Sequence, residues 1–402
     1  MKFTDLARLS AYGSEQLFRV AQDALGDVTG KSMPYLPEHF LTNSQLSEVL
    51  NRYAVERSWG DDIEISRVTT LPIPSVSSNC QNVVIDIDHL SGECFPNSLF
   101  VKLPMSNLAT RLFFGMTQSW ALESYFCRHI AAHVPLRTPR TYATHFEGTR
   151  FFLAQENLNA DPDVTLFTNP DMLAGPPLDL VYRCLDAFAQ LHACHYDLDA
   201  REREKILPLS QHIFLGERMG VLSRCLNEAG LEPCLKRYSE LIPDSIIDAY
   251  RRTLEHWDEM LAIWFSGPLS LLHGDSHLGN FFISGEEMGM LDFQAVHWGK
   301  GVRDIQYFLI DSLPAELLAE HEQDFIRYYV ERRGVHGTAI DFEQTWQEYR
   351  GFTYHTLMTI VVSIGFGAMN DEQATLMKEI LVRSVAAVER VDYVAWLDEQ
   401  LA

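Results

Sequence analysis

The chain has 402 residues, 47% of them hydrophobic and 22% charged, and 55 Asp and Glu against 32 Lys and Arg leave a formal net charge of −23. That length exceeds one ordinary compact core and predicts two lobes. The acidic balance excludes the basic surface that a nucleic-acid binder needs for counterion release, and it favours a neutral or cationic partner. The 7 Cys are odd in number and include no CxxC pair, which predicts buried thiols in a reducing cytoplasm rather than a disulfide framework.

Residues 1 to about 35 predict a helical extension without the apolar core of a signal peptide. LTNSQLSEVLNRYAV follows, with Thr42 and Gln45 at capping-box spacing ahead of a helix. The β-branched runs IEISRVTTLPI, QNVVIDIDHL and SLFVKLP are broken by turn residues and predict an antiparallel meander. SWALESYFCRHIAAHV repeats its apolar residues every three or four positions and predicts one helix. YATHFEGTRFFLAQENL predicts two further strands joined at Glu147-Gly148. Residues 36–156 therefore form a small α+β lobe, with a boundary near Glu156–Leu158. Residues 157–402 are mostly helical, beginning with the amphipathic DLVYRCLDAFAQLHACHYD. The apolar TLMTIVVSIGFGAM is too short to span a bilayer and predicts a buried helix.

One segment interrupts the helices. LLHGDSHLGNFFISGEEMGMLDFQ contains two short strands, NFFIS and MGMLDF, around Gly285-Glu286-Glu287. A hairpin sets its two strand ends side by side, so Asn280 and Asp292 should meet. Two oxygen donors held together suit a hard cation such as Mg²⁺, which takes its other ligands from water and phosphate. Asp275 is offset from them and free to accept a proton or orient a hydroxyl. Its D-x-x-x-x-N spacing to Asn280 is that of the protein-kinase catalytic loop. Other readings stay open. His273, Asp275 and His277 alternate, as zinc ligands on one strand face of a hydrolase would. His277 also reads as a packed core residue, and Asp304 as the cap of the helix IQYFLIDSL.

HGDSHLGN, LDFQ and VRDIQYFL, in that order, resemble the aminoglycoside phosphotransferase and choline kinase superfamily, most closely its ecdysteroid-kinase-like branch. The resemblance implies a protein-kinase-like α+β fold with a small antiparallel-sheet N-lobe and a larger, mostly helical C-lobe. It implies ATP and Mg²⁺ as cofactors and transfer of the γ-phosphate to a hydroxyl of a small molecule. Within it, Asp275 is the catalytic carboxylate, Asn280 and Asp292 bind Mg²⁺, His273 shapes the loop, Asp304 holds it by hydrogen bonds, and His277 faces the active site. Lys102 of FVKLP and Glu123 of SWALESYF match the ion pair that sets a lysine on the α- and β-phosphates; the plainer reading makes both surface charges. The phosphate loop falls in PIPSVSSNCQN, where Ser75, Ser77 and Ser78 stand in place of glycines. The adenine would meet the backbone near Gln155, Glu156 and Asn157.

About twelve residues separate Asp292 from Asp304, without the long activation loop or A-P-E anchor of a protein kinase, so a protein substrate is disfavoured. His297 and Trp298 predict either an apolar floor for the acceptor or lobe packing. An aminoglycoside, an amino alcohol and a steroid-like alcohol all remain open as acceptors. The glycine-free loop also keeps open a non-catalytic nucleotide-binding protein.

Overall fold

The computed structural model describes residues 3–29, 43–55, 62–72, 80–90, 95–208, 217–367 and 369–402. Helices α1 (Phe3–Thr29) and α2 (Asn43–Arg52) precede β1 (Ile65–Pro72), β2 (Cys80–His89) and β3 (Ser98–Pro104). With β4 (Thr141–Glu147) and β5 (Arg150–Glu156) these strands build one antiparallel sheet in the order β1-β2-β3-β5-β4. Side chains alternate across a strand. Val101, Leu103, Phe152 and Ala154 therefore share one face and pack with Leu46, Val49 and Leu50 of α2. Phe151 and Leu153 take the other face and join Trp120, Leu122 and Phe126 of α4 (Ser119–His129) in the larger core. Lys102, between Val101 and Leu103, emerges on this second face.

The sequence predicts one helix between β3 and β4, and the structure has two. Helix α3 (Leu108–Thr117) starts where the Asn107 side chain accepts a hydrogen bond from Thr110 N at 2.8 Å. Gln118, left-handed at φ 58°, separates it from α4. Helix α1 lies against α3 and α8 (Glu217–Tyr238), pinned by an Arg224–Asp5 ion pair and by Asp23, which accepts from Thr149 N at 3.0 Å.

Beyond the sheet come β6 (Val164–Leu166), α5 (Asn169–Ala174), α6 (Leu178–Cys194), α7 (Ala200–Ile206), α8 (Glu217–Tyr238), α9 (Asp244–Glu255) and α10 (Trp257–Trp264). Short strands follow: β7 (Ser270–Leu272), β8 (Phe281–Ser284), β9 (Glu287–Met290) and β10 (His297–Gly299). Helices α11 (Val302–Ser312), α12 (Ala315–Val335), α13 (Phe342–Phe366), α14 (Asp371–Arg390) and α15 (Tyr393–Leu401) complete the chain. Strands β8 and β9 are the expected hairpin, and the unforeseen β6 adds to its edge. Residues 356–366 of the apolar run end α13, where Leu357, Met358, Ile360, Val361 and Ile364 are buried. The fold is the two-lobed α+β class expected, a small antiparallel sheet beside a larger helical part. Among the described residues no helix is long and apolar enough to cross a membrane, and no disulfide joins the six described cysteines.

Candidate active site

The loop HGDSHLGN hangs between β7 and β8, and its backbone is held by one buried carboxylate. Asp304, in the first turn of α11, accepts the His273 N–H at 2.7 Å and the Gly274 N–H at 3.0 Å. It caps the loop rather than its own helix, whose N-cap is Gly301. Arg303 Nη1 donates to Gly274 O at 2.7 Å, and Ser276 Oγ donates to Asp304 O at 2.9 Å. Burial alone would raise the Asp304 carboxyl. The hydrogen bond from His192 and the charge of Arg303 outweigh it and hold the group below the usual carboxylate range. His192 comes from α6, and nothing in its local sequence singles it out.

His273 is fully buried. Its Nε2–H donates to Leu291 O at 2.8 Å, and its Nδ1 accepts the Asp275 N–H at 3.2 Å. Burial lowers its pKa, which keeps the ring neutral, as this bonding requires. Both ring nitrogens are used within the protein, so the zinc-ligand reading of His273, Asp275 and His277 does not hold.

Gly274 adopts φ +88°, and a Cβ there would run into the carbonyl of Ala295. Gly274→Ala is expected to cost at least about 1–3 kcal/mol of stability. Thermal unfolding checks this, and a variant melting with the wild type would show that the loop is not built this way.

Asp275, Asn280 and Asp292 line one cleft of about 790 Å³. Leu291 N–H donates to Asn280 O at 2.9 Å, one step beyond the Phe281–Met290 pair of the hairpin. That step brings Asn280 next to Asp292, which sits at φ 65°. Asn280 Nδ2 donates to Asp275 O at 2.6 Å, leaving its Oδ1 as the remaining acceptor. Asp292 Oδ1 is buried without a hydrogen bond and lies 3.0 Å from Lys102 Nζ. Lys102 Nζ is in turn 2.6 Å from Glu123 Oε1. At 7% and 2% exposure, Lys102 and Glu123 are not surface charges. Burial would lower the Lys102 pKa, but Asp292 and Glu123 raise it above its usual value, so the ammonium stays charged. The Asp292 carboxylate and the Asn280 amide oxygen are hard oxygen donors and fit a cation of the Mg²⁺ type, with Asp292 Oδ1 ion-paired to Lys102 but without a hydrogen bond.

Phe293 stacks on Phe126 of α4, with ring centroids 3.8 Å apart and planes within 8°, bracing the loop against the Glu123 helix. Gln294 Nε2 donates to Asp275 Oδ2 at 3.3 Å, and His277 Nε2 lies 3.8 Å from Asp275 Oδ1. Tyr307 shares a hydrogen bond with Asp275, and Asp311, pushed up to about 6 by burial, lines the same cleft. Sequence reading missed both. Their only signal is helical spacing from Asp304 along α11.

The profile of the ecdysteroid kinase-like family matches residues 131–333. The chain belongs to this family. The match takes in the loop, the hairpin and Asp304, and leaves out Lys102, Glu123, α13 and α14. Among solved structures, a GDP complex of an aminoglycoside 2'-phosphotransferase-IIIa mutant is 13% identical, with coverage of 87% of this chain and 97% of that one and a TM-score of 0.46. A choline/ethanolamine kinase family protein from Mesorhizobium loti is 13% identical, with 85% and 94% coverage and a TM-score of 0.47. A Plasmodium vivax ethanolamine kinase is 12% identical, with 80% and 81% coverage and a TM-score of 0.48. No curated protein sequence matches the chain.

Other predicted residues of this ecdysteroid kinase-like chain lie apart from that cluster. The side chains of Gln155, Glu156 and Asn157 are engaged internally. Gln155 Nε2 donates to Thr141 Oγ1 at 3.2 Å, Glu156 accepts from Arg137 Nη2 at 2.8 Å, and Asn157 Nδ2 donates to Ser98 Oγ at 2.9 Å. His297 and Trp298 are fully buried in β10, paired with Leu272 and Leu271. They support the base of the loop and do not line the cleft. Ser75, Ser77 and Ser78 lie outside the described residues.

Proposed function

We propose that this protein is an ATP- and Mg²⁺-dependent O-phosphotransferase acting on a hydroxyl of a small molecule. The observation that carries the reading is the convergence of Asp275, Asn280 and Asp292 on one cleft, with Lys102 set between Asp292 and Glu123. In this reading Lys102 binds the α- and β-phosphates, and Asn280 and Asp292 hold Mg²⁺. The bound metal supplies neutralisation of charge on the phosphates. Asp275 accepts the proton of the acceptor hydroxyl or aims that hydroxyl at the phosphorus. Gln294 and Tyr307 orient its carboxylate, while His273 and Asp304 keep the loop in shape. The main chain of 155–157 and the serines at 75, 77 and 78 would meet the nucleotide. Residues 36–156 would then serve the nucleotide and 157–402 the acceptor, in a cytoplasmic enzyme.

The cleft also supports a choice among acceptors. Its volume lies in the range of about 300–1,000 Å³ usual for small-molecule sites. Its walls also carry Phe113, Phe114, Ile360, Phe366, Leu376 and Met377. Against such a wall a steroid-like alcohol would bury apolar surface, whereas the ammonium groups of an aminoglycoside would find carboxylate partners only at Asp275, Asp292 and Asp311. The test is ADP release from Mg²⁺-ATP across sterols, amino alcohols, aminoglycosides and sugars. We expect release that depends on an apolar polycyclic alcohol. Met377→Lys should raise KM for that acceptor by about tenfold or more while changing kcat less. Preference for aminoglycosides would sink the apolar assignment. Slow release independent of every acceptor would favour a nucleotide-binding protein over a kinase.

A further inference from the structure

A second cavity, of about 220 Å³, opens between α11, α12 and the start of α13. Tyr196, Lys300, Gly301, Tyr329, Arg333 and Gln344 line it. Arg333 is 2% exposed, and its guanidinium lies over the Tyr196 ring at 4.6 Å. Its Nε donates to Thr338 Oγ1 and its Nη1 to the Tyr329 hydroxyl, both at 2.9 Å. Its Nη2 makes no hydrogen bond, and no carboxylate pairs with it among the described residues. The other charges here are spoken for. Lys300 Nζ is 2.7 Å from Glu348 Oε1, and Asp341 caps α13 by accepting from Gln344 N at 2.8 Å. A buried guanidinium ordinarily has a carboxylate or phosphate on its fork. Arg333 keeps one unpaired nitrogen, Nη2, in a buried guanidinium that lines the cavity.

The same arginine is joined to the loop. The Tyr329 hydroxyl accepts from Arg333 and donates to His192 Nδ1 at 2.9 Å. His192 Nε2–H donates to Asp304 Oδ2 at 3.2 Å, and Asp304 holds the amides of His273 and Gly274. Gly301 passes so close that a Cβ would collide with the Tyr329 hydroxyl and His192 Nδ1, so the backbone there leaves room for this chain of bonds.

We propose that this cavity is a binding site for a small oxyanion, a carboxylate or phosphate group held by Arg333, and that its occupancy is felt at the loop carrying Asp275. The binding itself does not depend on the chemistry proposed for that loop. The test uses the full chain, titrated by calorimetry with inorganic phosphate and, separately, with malonate. Hydrogen exchange of residues 270–280 is followed in parallel. One site is expected, and the anion that binds tighter identifies which oxyanion it takes. Arg333→Gln should weaken binding about tenfold or more, the size expected for a lost charge-assisted hydrogen bond. Gln344→Glu places a like charge at the exposed rim without touching the core, and should also weaken it, which covers the case of an Arg333 variant that folds poorly. Occupancy should slow loop exchange about fivefold or more. Binding of neither anion would overturn the proposal. So would binding unchanged in both variants, which would place the anion elsewhere, or loop exchange unaffected by saturation.

Discussion

Asp275→Asn is expected to lower acceptor-dependent phosphoryl transfer by about 10²–10⁴-fold, the usual worth of a positioned general base. The substitution keeps the shape of the side chain and removes its ability to take a proton. Asp275 contributes little to the core. Its side chain is partly exposed, and its bond from Gln294 reaches an oxygen that an amide also offers. The melting temperature and the nucleotide affinity should therefore stay near wild type while kcat collapses. That split separates a catalytic role from a structural one. Full turnover in the Asn protein, with fold and nucleotide binding intact, would refute the central assignment.

Asp304→Ala should have the largest effect on stability, about 3–5 kcal/mol, because removing one partner of a buried charge network strands the others. Two loop amides lose their acceptor, and His192 and Arg303 lose the carboxylate they face. Thermal or denaturant unfolding of the two proteins side by side measures this. The dependence on pH has a definite sign. The Asp304 carboxyl is held below its usual range in the folded chain, so its contribution is complete above the unfolded value of about 4 and fades as pH falls further. The gap between wild type and variant should hold from about pH 8 to pH 5 and shrink only below about pH 4. A gap that closes already near neutrality would mean that another group carries the effect.

Much of the fold is written in short-range pattern. Alternating β-branched runs and their turns specify the five strands, and the three-to-four repeat marks α4 and α6. Helix α3 was lost because its ten residues lie between two strong signals and end at Gln118, a non-glycine left-handed cap with no sequence mark. The hairpin brought Asn280 beside Asp292 for a local reason, since pairing within a tight hairpin depends on a few neighbouring residues.

Sequence by itself determined the class of the fold, the loop HGDSHLGN with its hairpin, and the face on which Lys102 emerges. Periodicity along a helix or strand settles these, because it relates a residue only to its near neighbours. Tertiary structure alone decided what those residues meet. It set Lys102 between Glu123 and Asp292, brought His192 from α6 to Asp304, and stacked Phe293 on Phe126. It put His297 and Trp298 in the core and assembled the apolar wall from α3, α13 and α14. Each of these contacts joins segments far apart in the chain, and which of them form is chosen by burial of the whole apolar surface at once, a quantity that no single stretch of sequence carries.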